Sequence, residues 1–261
     1  MLKKIAVAGL VLIAVMLMAF FIIGISTSRD GDVQFAKYSA ITGSALHAEK
    51  LTAYPVQSNF RHVGIFPLID ITVTSSRSER IKRCSVLDAT MLSCIRMYSL
   101  VICPESIYNL PVLSADFIFL PFGKRVCVIE IIDPSPVTNA NRRKYTAEMR
   151  NGYTALSAFK PSPTRAWYKK FLSDISVHCK ATRRDDAVLA DAYRSYIVSY
   201  AAMIEHAAAV PAAEAMKSRT GIEDYVTALL QNGGPAVDVF KTILGPDGQR
   251  QFVRTVMFAL P

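Results

Sequence analysis

Apolar runs of strand length, separated by short polar or Pro-containing breaks, fill the middle of the chain. They cover residues 63–73, 83–86, 95–102, 112–120, 125–132 and 174–179. Short connections between consecutive strands favour an antiparallel meander. Helices are predicted near Ala45–Leu51 and Asn141–Met149, and from Asp185 onward apolar residues recur at steps of three and four. A sheet followed mostly by helices predicts an α+β fold.

The N-terminus has a different pattern. Lys3 and Lys4 precede Ile5–Ile25, a stretch of 21 residues without a charge. At about 1.5 Å per residue, a helix of this length crosses a hydrocarbon core of roughly 30 Å. We therefore expect residues 1–29 to be a membrane anchor or a long signal sequence, and residues 30–261 to form one domain. The chain would associate with a membrane through residues 5–25.

The charge is strongly positive. Thirty Lys and Arg stand against 21 Asp and Glu, for a formal net charge of +9. The basic residues cluster at Arg80, Lys82 and Arg83; at Arg142–Lys144; at Lys169 and Lys170; and at Arg183 and Arg184. Together these clusters favour an acidic partner or ligand. No DNA- or RNA-binding motif accompanies them, so we expect no nucleic acid.

The five cysteines, at positions 84, 94, 103, 127 and 179, form no CxxC motif and no zinc-like cluster. An odd number of thiols in apolar strands indicates a reducing environment. The N-terminal segment indicates entry into the secretory pathway. A plastid reached by the secretory route satisfies both signals, and we expect that location if the chain is exported.

One carboxylate lies within an otherwise apolar strand. Pro104 and Pro111 bound a turn-forming segment, and residues 112–120 then read VLSADFIFL, with Asp116 in the middle. Burying an ionised Asp costs several kcal/mol unless it is paired or takes up a proton, which raises its pKa toward neutrality. Asp116 is therefore a candidate proton donor.

The same segment carries a family resemblance. Pro104-Glu105, Tyr108 and Leu110-Pro111 are followed by Ala115-Asp116 and by the sequence IIDPSP, which ends at Pro136. This order resembles the core signature of the ferredoxin-dependent bilin reductases. Residues 167–180 are similar to that family's Trp-containing lead into a central strand, and residues 239–260 resemble its C-terminal helix. The resemblance extends from about Arg80 to the C-terminus.

The resemblance implies an α+β fold, an α/β/α sandwich in which a central antiparallel sheet is flanked by helices. The uncharged run of residues 5–25 adds an N-terminal hydrophobic helix to this prediction. The resemblance also implies reduction of biliverdin or a dihydrobiliverdin, as in phycobilin biosynthesis, by electrons from a [2Fe-2S] ferredoxin. The tetrapyrrole would lie between the sheet and the C-terminal helices. No metal or flavin takes part in that chemistry, and the sequence has no Gly-rich nucleotide-binding motif and no His pair at ligand spacing.

Asp116 matches the family's central-strand Asp and is the expected proton donor. Phycocyanobilin-forming members have a His where this chain has Ser99, and a Glu where it has Leu87. Asp88 is one residue away and is the second catalytic candidate, provided that a bulge or gap shifts the strand register. Loss of the His argues against the four-electron reaction and leaves a two-electron reduction open.

Substrate contacts are expected at three positions. Some relatives have an Asp in the helix at the position of Ser195, and a Ser hydroxyl there can hold a water or a propionate but cannot act as a carboxylic acid. Tyr196 on the same helix could flank a bilin, although an aromatic helical stripe is also typical of a core. Ser99 is the third expected contact. His178 is read more readily as a structural residue than as a proton donor.

Three other functions stay open at this point. A red chlorophyll catabolite reductase acts on another linear tetrapyrrole. A tetrapyrrole-binding protein without turnover would fit the residues Ser99 and Ser195. A membrane-anchored scaffold would have a filled core where the family has a cleft. A second carboxylate near Asp116 would favour an enzyme, and an isolated Asp116 would favour binding alone.

Overall fold

The structure is a computed structural model that describes Gly24 and residues 26–136 and 139–261. Residues 5–23 and Ile25, which make up almost all of the predicted anchor, lie outside the described residues. Among the residues that are described, no helix is both long and apolar enough to cross a membrane.

The described residues form an antiparallel sheet flanked by helices. Its strands are β1 Thr52–Ala53, β2 His62–Ile65, β3 Ile69–Arg77, β4 Ile81–Met91, β5 Ile95–Pro104, β6 Val112–Phe119, β7 Lys124–Ile132, β8 Lys160–Pro161 and β9 Val177–Thr182. The spatial order is β1-β3-β4-β5-β6-β7-β9-β8, with β2 paired to β3. The predicted meander is thus confirmed from β3 to β7. The segment after Trp167 leads into β9, which lies next to an edge rather than at the centre.

The helices are α1 26–45, α2 Ser58–Arg61, α3 Ala140–Ser157, α4 Asp186–Glu205, α5 Ala212–Asn232 and α6 Pro235–Gln251, the last followed by a π-helical turn, Phe252–Met257. The helix expected near Ala45–Leu51 is instead α1, which ends at residue 45, and only a 3₁₀ turn, His47–Glu49, follows it. This helix crosses the domain boundary expected between residues 29 and 30.

Each face of the sheet has its own core. On one face, α1, α3 and α4 pack against sheet residues such as Tyr98, Phe117 and Cys127. On the other face, α5, α6 and the π-helical turn pack against Leu87, Val101 and other sheet residues. The two cores follow from the period of two in a strand, since consecutive side chains point to opposite faces. We call these the α1/α4 face and the α5/α6 face.

Glycine allows α1 to lie close to the sheet. A Cβ atom at Gly31 would lie 2.4 Å from the Cβ atom of Arg96 on β5. Helix α1 therefore crosses β5 with its backbone almost touching the strand. Its aromatic residues Phe35 and Tyr38 then meet Tyr98 and Phe117, with ring centroids 5.2 Å apart for Phe35–Tyr98 and 3.8 Å for Tyr38–Phe117.

Candidate active site

A row of paired residues crosses the centre of the sheet. Ser99 on β5 is opposite Asp116 on β6, Asp116 is opposite Val128 on β7, and Val128 is opposite His178 on β9. Residues directly opposite each other in a sheet point to the same face. Ser99, Asp116 and His178 therefore all project from the α5/α6 face, and two strand spacings of about 4.8 Å each separate Asp116 from His178.

The surroundings of Asp116 favour its protonated form. The pKa of this carboxyl is raised to about 6, mainly by burial and also by the negative charge of Glu130, whereas a hydrogen bond with Ser99 and the charge of His178 oppose the increase. Desolvation disfavours the charged form because little polar material replaces the lost water. A carboxyl with this pKa can hold and release a proton near neutral pH.

A second acid–base pair lies on the same face. Glu130 is two residues along β7 from Val128, so it is a diagonal neighbour of Asp116, with Cα atoms about 7 to 8 Å apart. Its Oε1 atom lies 2.9 Å from Nε2 of His178, and both side chains are about nine-tenths buried. Asp116 therefore has a second carboxylate and an imidazole within reach of one small ligand.

Two tyrosines enclose this pair from the helical layer and the loops. Tyr225 of α5 is hydrogen-bonded to Glu130, and burial holds the pKa of its hydroxyl well above the ordinary value. Tyr168, in the 3₁₀ turn Ala166–Lys170, has its ring centroid 6.4 Å from that of His178, and burial also raises its pKa. Both phenols are therefore neutral hydrogen-bonding groups at physiological pH.

Two buried ring nitrogens near the pair have no hydrogen-bond partner among the described residues: Nε2 of His178, whose contact with Glu130 lacks hydrogen-bond alignment, and Nε1 of Trp167. Trp167 stacks on Tyr168, with centroids 4.0 Å apart. Buried polar atoms in native proteins are nearly always satisfied by protein, water or ligand. Unsatisfied groups here therefore mark a place where a polar ligand atom would be stabilised.

The helical layer does not seal this region. Asp116 and its neighbours Ile118 and Val128 are only half-buried, although they face α5 and α6. On α6, Ile243 and Leu244 are also half-buried and pack against the same apolar cluster as Ile118. Asp116 thus lies among half-buried apolar residues between the sheet and α6, and we take this region as the candidate cleft for a flat apolar ligand with a few polar atoms.

Positive charge lies at one end of this face. A cavity of about 570 Å³ is lined by Lys82, Arg83, Arg219 and residues of the C-terminal segment. Arg83 stacks on Tyr54, 3.6 Å from its ring centroid, and is paired in register with Cys103, four residues along β5 from Ser99. At about 3.3 Å per residue, this places the basic cavity roughly 13 Å along the sheet from the acid.

The structure brings only Asp116 and Ser99 together among the five expected site residues. Asp88 points to the α1/α4 face, where it forms an ion pair with Arg96, and β4 pairs with β5 without a register shift from Arg83 to Met91. The bulge that Asp88 would need is therefore absent from that stretch. Asp88 and Asp116 therefore project from opposite faces of the sheet, because a shift of one residue reverses the face, and the structure does not bring the two together.

Ser195 and Tyr196 are also on the wrong side of the sheet to contact Asp116. Both are in α4, which packs on the α1/α4 face. The Tyr196 hydroxyl donates to the carbonyl of Ile175 in a buried position, which makes it a core residue. Ser195 is half-buried on the same helix. The aromatic stripe of α4 thus fills a core, as such stripes usually do.

The sequence reasoning missed Glu130 and Tyr225 and underrated His178. A signal for Glu130 was present, since it interrupts the apolar run VCVIEII of β7 just as Asp116 interrupts β6. The partner of Glu130 is 48 positions away in sequence and is set by the β7–β9 register. Only the tertiary pairing brings the two residues together.

Comparison with known proteins shows the family and a similar fold. A family model described as ferredoxin-dependent bilin reductase matches residues 40–259. A crystal structure of phytochromobilin synthase from tomato, solved in complex with biliverdin, superimposes with a TM-score of 0.71 at 14% identity. The superposition covers 85% of this chain and 83% of that one. No curated protein matches the sequence.

Proposed function

This chain belongs to the ferredoxin-dependent bilin reductase family, and from that premise we propose that it reduces a linear tetrapyrrole, biliverdin or a dihydrobiliverdin, with electrons from ferredoxin. The observation that carries the proposal is Asp116, an acid whose pKa is raised to about 6 among half-buried apolar residues between the sheet and α6. A carboxyl kept in such surroundings, with a serine hydroxyl as its hydrogen-bond partner, costs stability, and function is the usual reason to keep one.

The reaction needs two electrons and two protons for each double bond that is reduced. Ferredoxin delivers electrons one at a time, so each electron must be matched by a proton to avoid charge build-up on the buried bilin. Asp116 supplies the first proton, and the pair Glu130 and His178 supplies the second or recharges Asp116. Each donor takes up a proton from solvent after it has given one, and the bilin gains two electrons and two protons, which amounts to two hydrogens.

The acid–base pair of Glu130 and His178 favours an enzyme over a protein that only carries a tetrapyrrole. A protein that only binds a tetrapyrrole has no need for three titratable groups, Asp116, Glu130 and His178, on one buried sheet face. Burying them costs several kcal/mol that apolar residues would not cost. In this proposal His178 supplies the imidazole that is missing at Ser99, and the hydroxyl of Ser99 holds the Asp116 carboxyl in place.

Polar atoms of the bilin have matching partners. The outer pyrrole rings carry carbonyl and N–H groups that could pair with Nε1 of Trp167 and Nε2 of His178, two of the buried atoms without a hydrogen-bond partner among the described residues. The two propionates carry negative charge, and the basic cavity at Lys82, Arg83 and Arg219 offers complementary charge. Exposed Lys169 and Lys170 add positive charge outside the cleft, suited to an acidic ferredoxin.

A titration of the full chain in detergent with biliverdin tests the proposal, followed by anaerobic addition of reduced ferredoxin. We expect a new bilin absorbance band on binding and a blue shift on reduction, because a shorter conjugated system absorbs at higher energy. Binding without reduction would favour a tetrapyrrole carrier. No binding would overturn the proposal, and a denatured sample of the chain provides the control for non-specific adsorption.

The reduction rate should depend on pH through Asp116. A donor must carry its proton, and with a pKa of about 6 the protonated fraction of Asp116 falls as pH rises above that value. We expect the single-turnover rate of the first protonation to be nearly constant below pH 6 and to fall about tenfold per pH unit well above it. Stopped-flow absorbance with pre-reduced ferredoxin between pH 5.5 and 8.5 measures this. A flat profile would exclude donation by a group with this pKa.

A further inference from the structure

The loop between β2 and β3 contains only apolar residues. Phe66, Pro67 and Leu68 form it; Phe66 is 97% exposed and Leu68 is 49% exposed. Ile65, at the end of β2, is 40% exposed. Hairpin loops in water are usually rich in Gly, Asn, Asp and Ser. This loop has none of them and is therefore unusual. A phenylalanine exposed almost completely suggests a surface that is covered by something else.

A second loop extends the same surface. The β4–β5 turn lies beside the β2–β3 loop, because the backbone N–H of Leu92 donates to the carbonyl of Leu68 at 2.6 Å. Leu92 is itself 52% exposed. Ile65, Phe66, Leu68 and Leu92 therefore form one patch, which we call the apolar tip. It lies at the end of the sheet where β4 ends and β5 begins.

The N-terminal run enters the domain at this tip. Gly24 contacts the β4–β5 turn so closely that a Cβ atom on it would lie 3.2 Å from the carbonyl oxygen of Ser93. The uncharged sequence 5–25 ends at this point in the chain. Helix α1 then runs away from the tip, since Gly31 meets Arg96 and Tyr38 meets Phe117. The apolar tip is thus adjacent to Gly24, where the apolar run in the sequence ends.

We propose that the apolar tip inserts into the surface of a lipid bilayer, the same bilayer that holds residues 5–25. Side chains such as Phe and Leu at a membrane surface enter the boundary between headgroups and acyl chains, about 5 to 10 Å deep. The tip would then act as a second contact beside the N-terminal run. It fixes the orientation of the domain, with the ends of β2 and β4 toward the lipid. This inference does not depend on the proposed reductase activity.

The apolar tip and the N-terminal run would fix the orientation of the domain because they are two contacts with the same membrane. A single flexible attachment would let the domain rotate freely, whereas two adjacent attachments restrict it. Hydrogen bonding between Leu92 and Leu68 makes the tip one rigid unit, and α1 is packed against β5 from Gly31 onward. The end of the sheet at Ile107 and the start of α5 then points away from the membrane, since Val210 bonds to Ile107 there.

Depth-dependent quenching of tryptophan tests the proposal with the full chain. The variant F66W places an indole at the tip, in vesicles of phosphatidylcholine with or without bromine on the acyl chains. The matched control is M216W, because Met216 on α5 is 69% exposed near the far end of the sheet. Emission of the wild-type chain is subtracted to remove the native Trp167. Neither replacement fills a buried position, so both variants should fold.

We expect brominated lipid to remove on the order of half of the F66W emission and to leave M216W unchanged, given insertion to the acyl boundary. Equal emission of F66W in both kinds of vesicle, with the chain sedimenting with the lipid, would overturn the proposal. F66W emission that is blue-shifted in vesicles but is not quenched by brominated lipid would also overturn it. That result would mean that residues 5–23 or a second copy of the chain cover the tip, and its dependence on protein concentration would tell the two apart.

Discussion

The variant D116N is expected to bind bilin as tightly as the wild-type chain and to reduce it at least about a hundredfold more slowly, the usual contribution of a positioned general acid. The amide keeps the shape of the carboxyl and a hydrogen bond with Ser99, but it cannot release a proton. Electrons still reach the bilin in this variant, so a radical that is not protonated should accumulate. Anaerobic absorbance and electron paramagnetic resonance after one equivalent of reduced ferredoxin measure both effects.

The matched control is D88N. It makes the same chemical change in the neighbouring part of the sheet, but Asp88 points to the α1/α4 face and pairs with Arg96. Because that face does not reach the cleft, D88N should bind and reduce bilin at the wild-type rate. Loss of reduction in both variants would mean that the sheet as a whole is disturbed. Unchanged turnover in D116N would remove Asp116 from the mechanism.

The variant D116N should also be more stable than the wild-type chain. The folded-state pKa of Asp116, about 6, lies above its ordinary value of 3.8, so the folded state holds the proton more tightly than the unfolded state does. Stability from this group is present below pH 3.8 and is lost as pH rises to 6. At pH 7, D116N should therefore gain about 2 to 3 kcal/mol. Urea unfolding at pH 7 and pH 4 measures the gain, which should disappear at the lower pH.

Asp116 lowers the stability of the fold and supplies a proton donor, and this conflict explains why it could be recognised from the sequence. A carboxylate within VLSADFIFL breaks the apolar pattern of a buried strand, and such conflicts between local pattern and burial occur mainly at functional sites. Glu130 gives the same signal in β7. The role of Glu130 depends on its ion pair with His178. That pair is set by the pairing of strands β7 and β9 rather than by any local sequence pattern.

The positions of the strands were predictable because the period of two is a local pattern. The face of the sheet to which each side chain points was not predictable from that pattern alone. Asp88 was proposed as a substitute for Leu87 from sequence alignment, and the two differ by one residue and therefore by one face. Leu87 points into the α5/α6 core and Asp88 to the opposite side. The alternation that makes a strand easy to recognise also makes a register error costly.

Helix α1 shows the opposite case. Its sequence includes Gly31, Gly43 and Ser39, residues that weaken a helix in isolation, so the segment gave a poor helical signal. Tertiary packing compensates. Gly31 is required by the close approach to Arg96, and Tyr38 is completely buried in an aromatic cluster. A helix held by packing rather than by propensity is hard to recognise before the sheet that it packs on is known.

A buried ion pair holds α1 against the sheet and supports the second large prediction. Arg125 on β7 is 1% exposed, and its guanidinium binds Asp186 at the start of α4, with Nε–Oδ1 2.8 Å, and Asp30 of α1. The variant R125M keeps much of the side-chain volume but leaves the Asp186 carboxylate without Arg125, while Asp30 keeps its ion pair with Arg183. Removing one partner of a buried pair costs about 3 to 5 kcal/mol. We expect a loss of that size in urea unfolding, followed by circular dichroism in one detergent.

The control variant is R150M, because Arg150 forms an ion pair with Asp174 at 2.8 Å in which both side chains are about half or more exposed. Exposed pairs of this kind contribute about 0 to 1 kcal/mol, so R150M should unfold nearly as the wild-type chain does. Since Arg125 lies on the α1/α4 face, the folded fraction of R125M should still reduce bilin with the same pH midpoint near 6. A shifted midpoint would mean that the two faces of the sheet are electrostatically coupled, and equal stabilities of R125M and R150M would mean that α1 is held by its aromatic contacts alone.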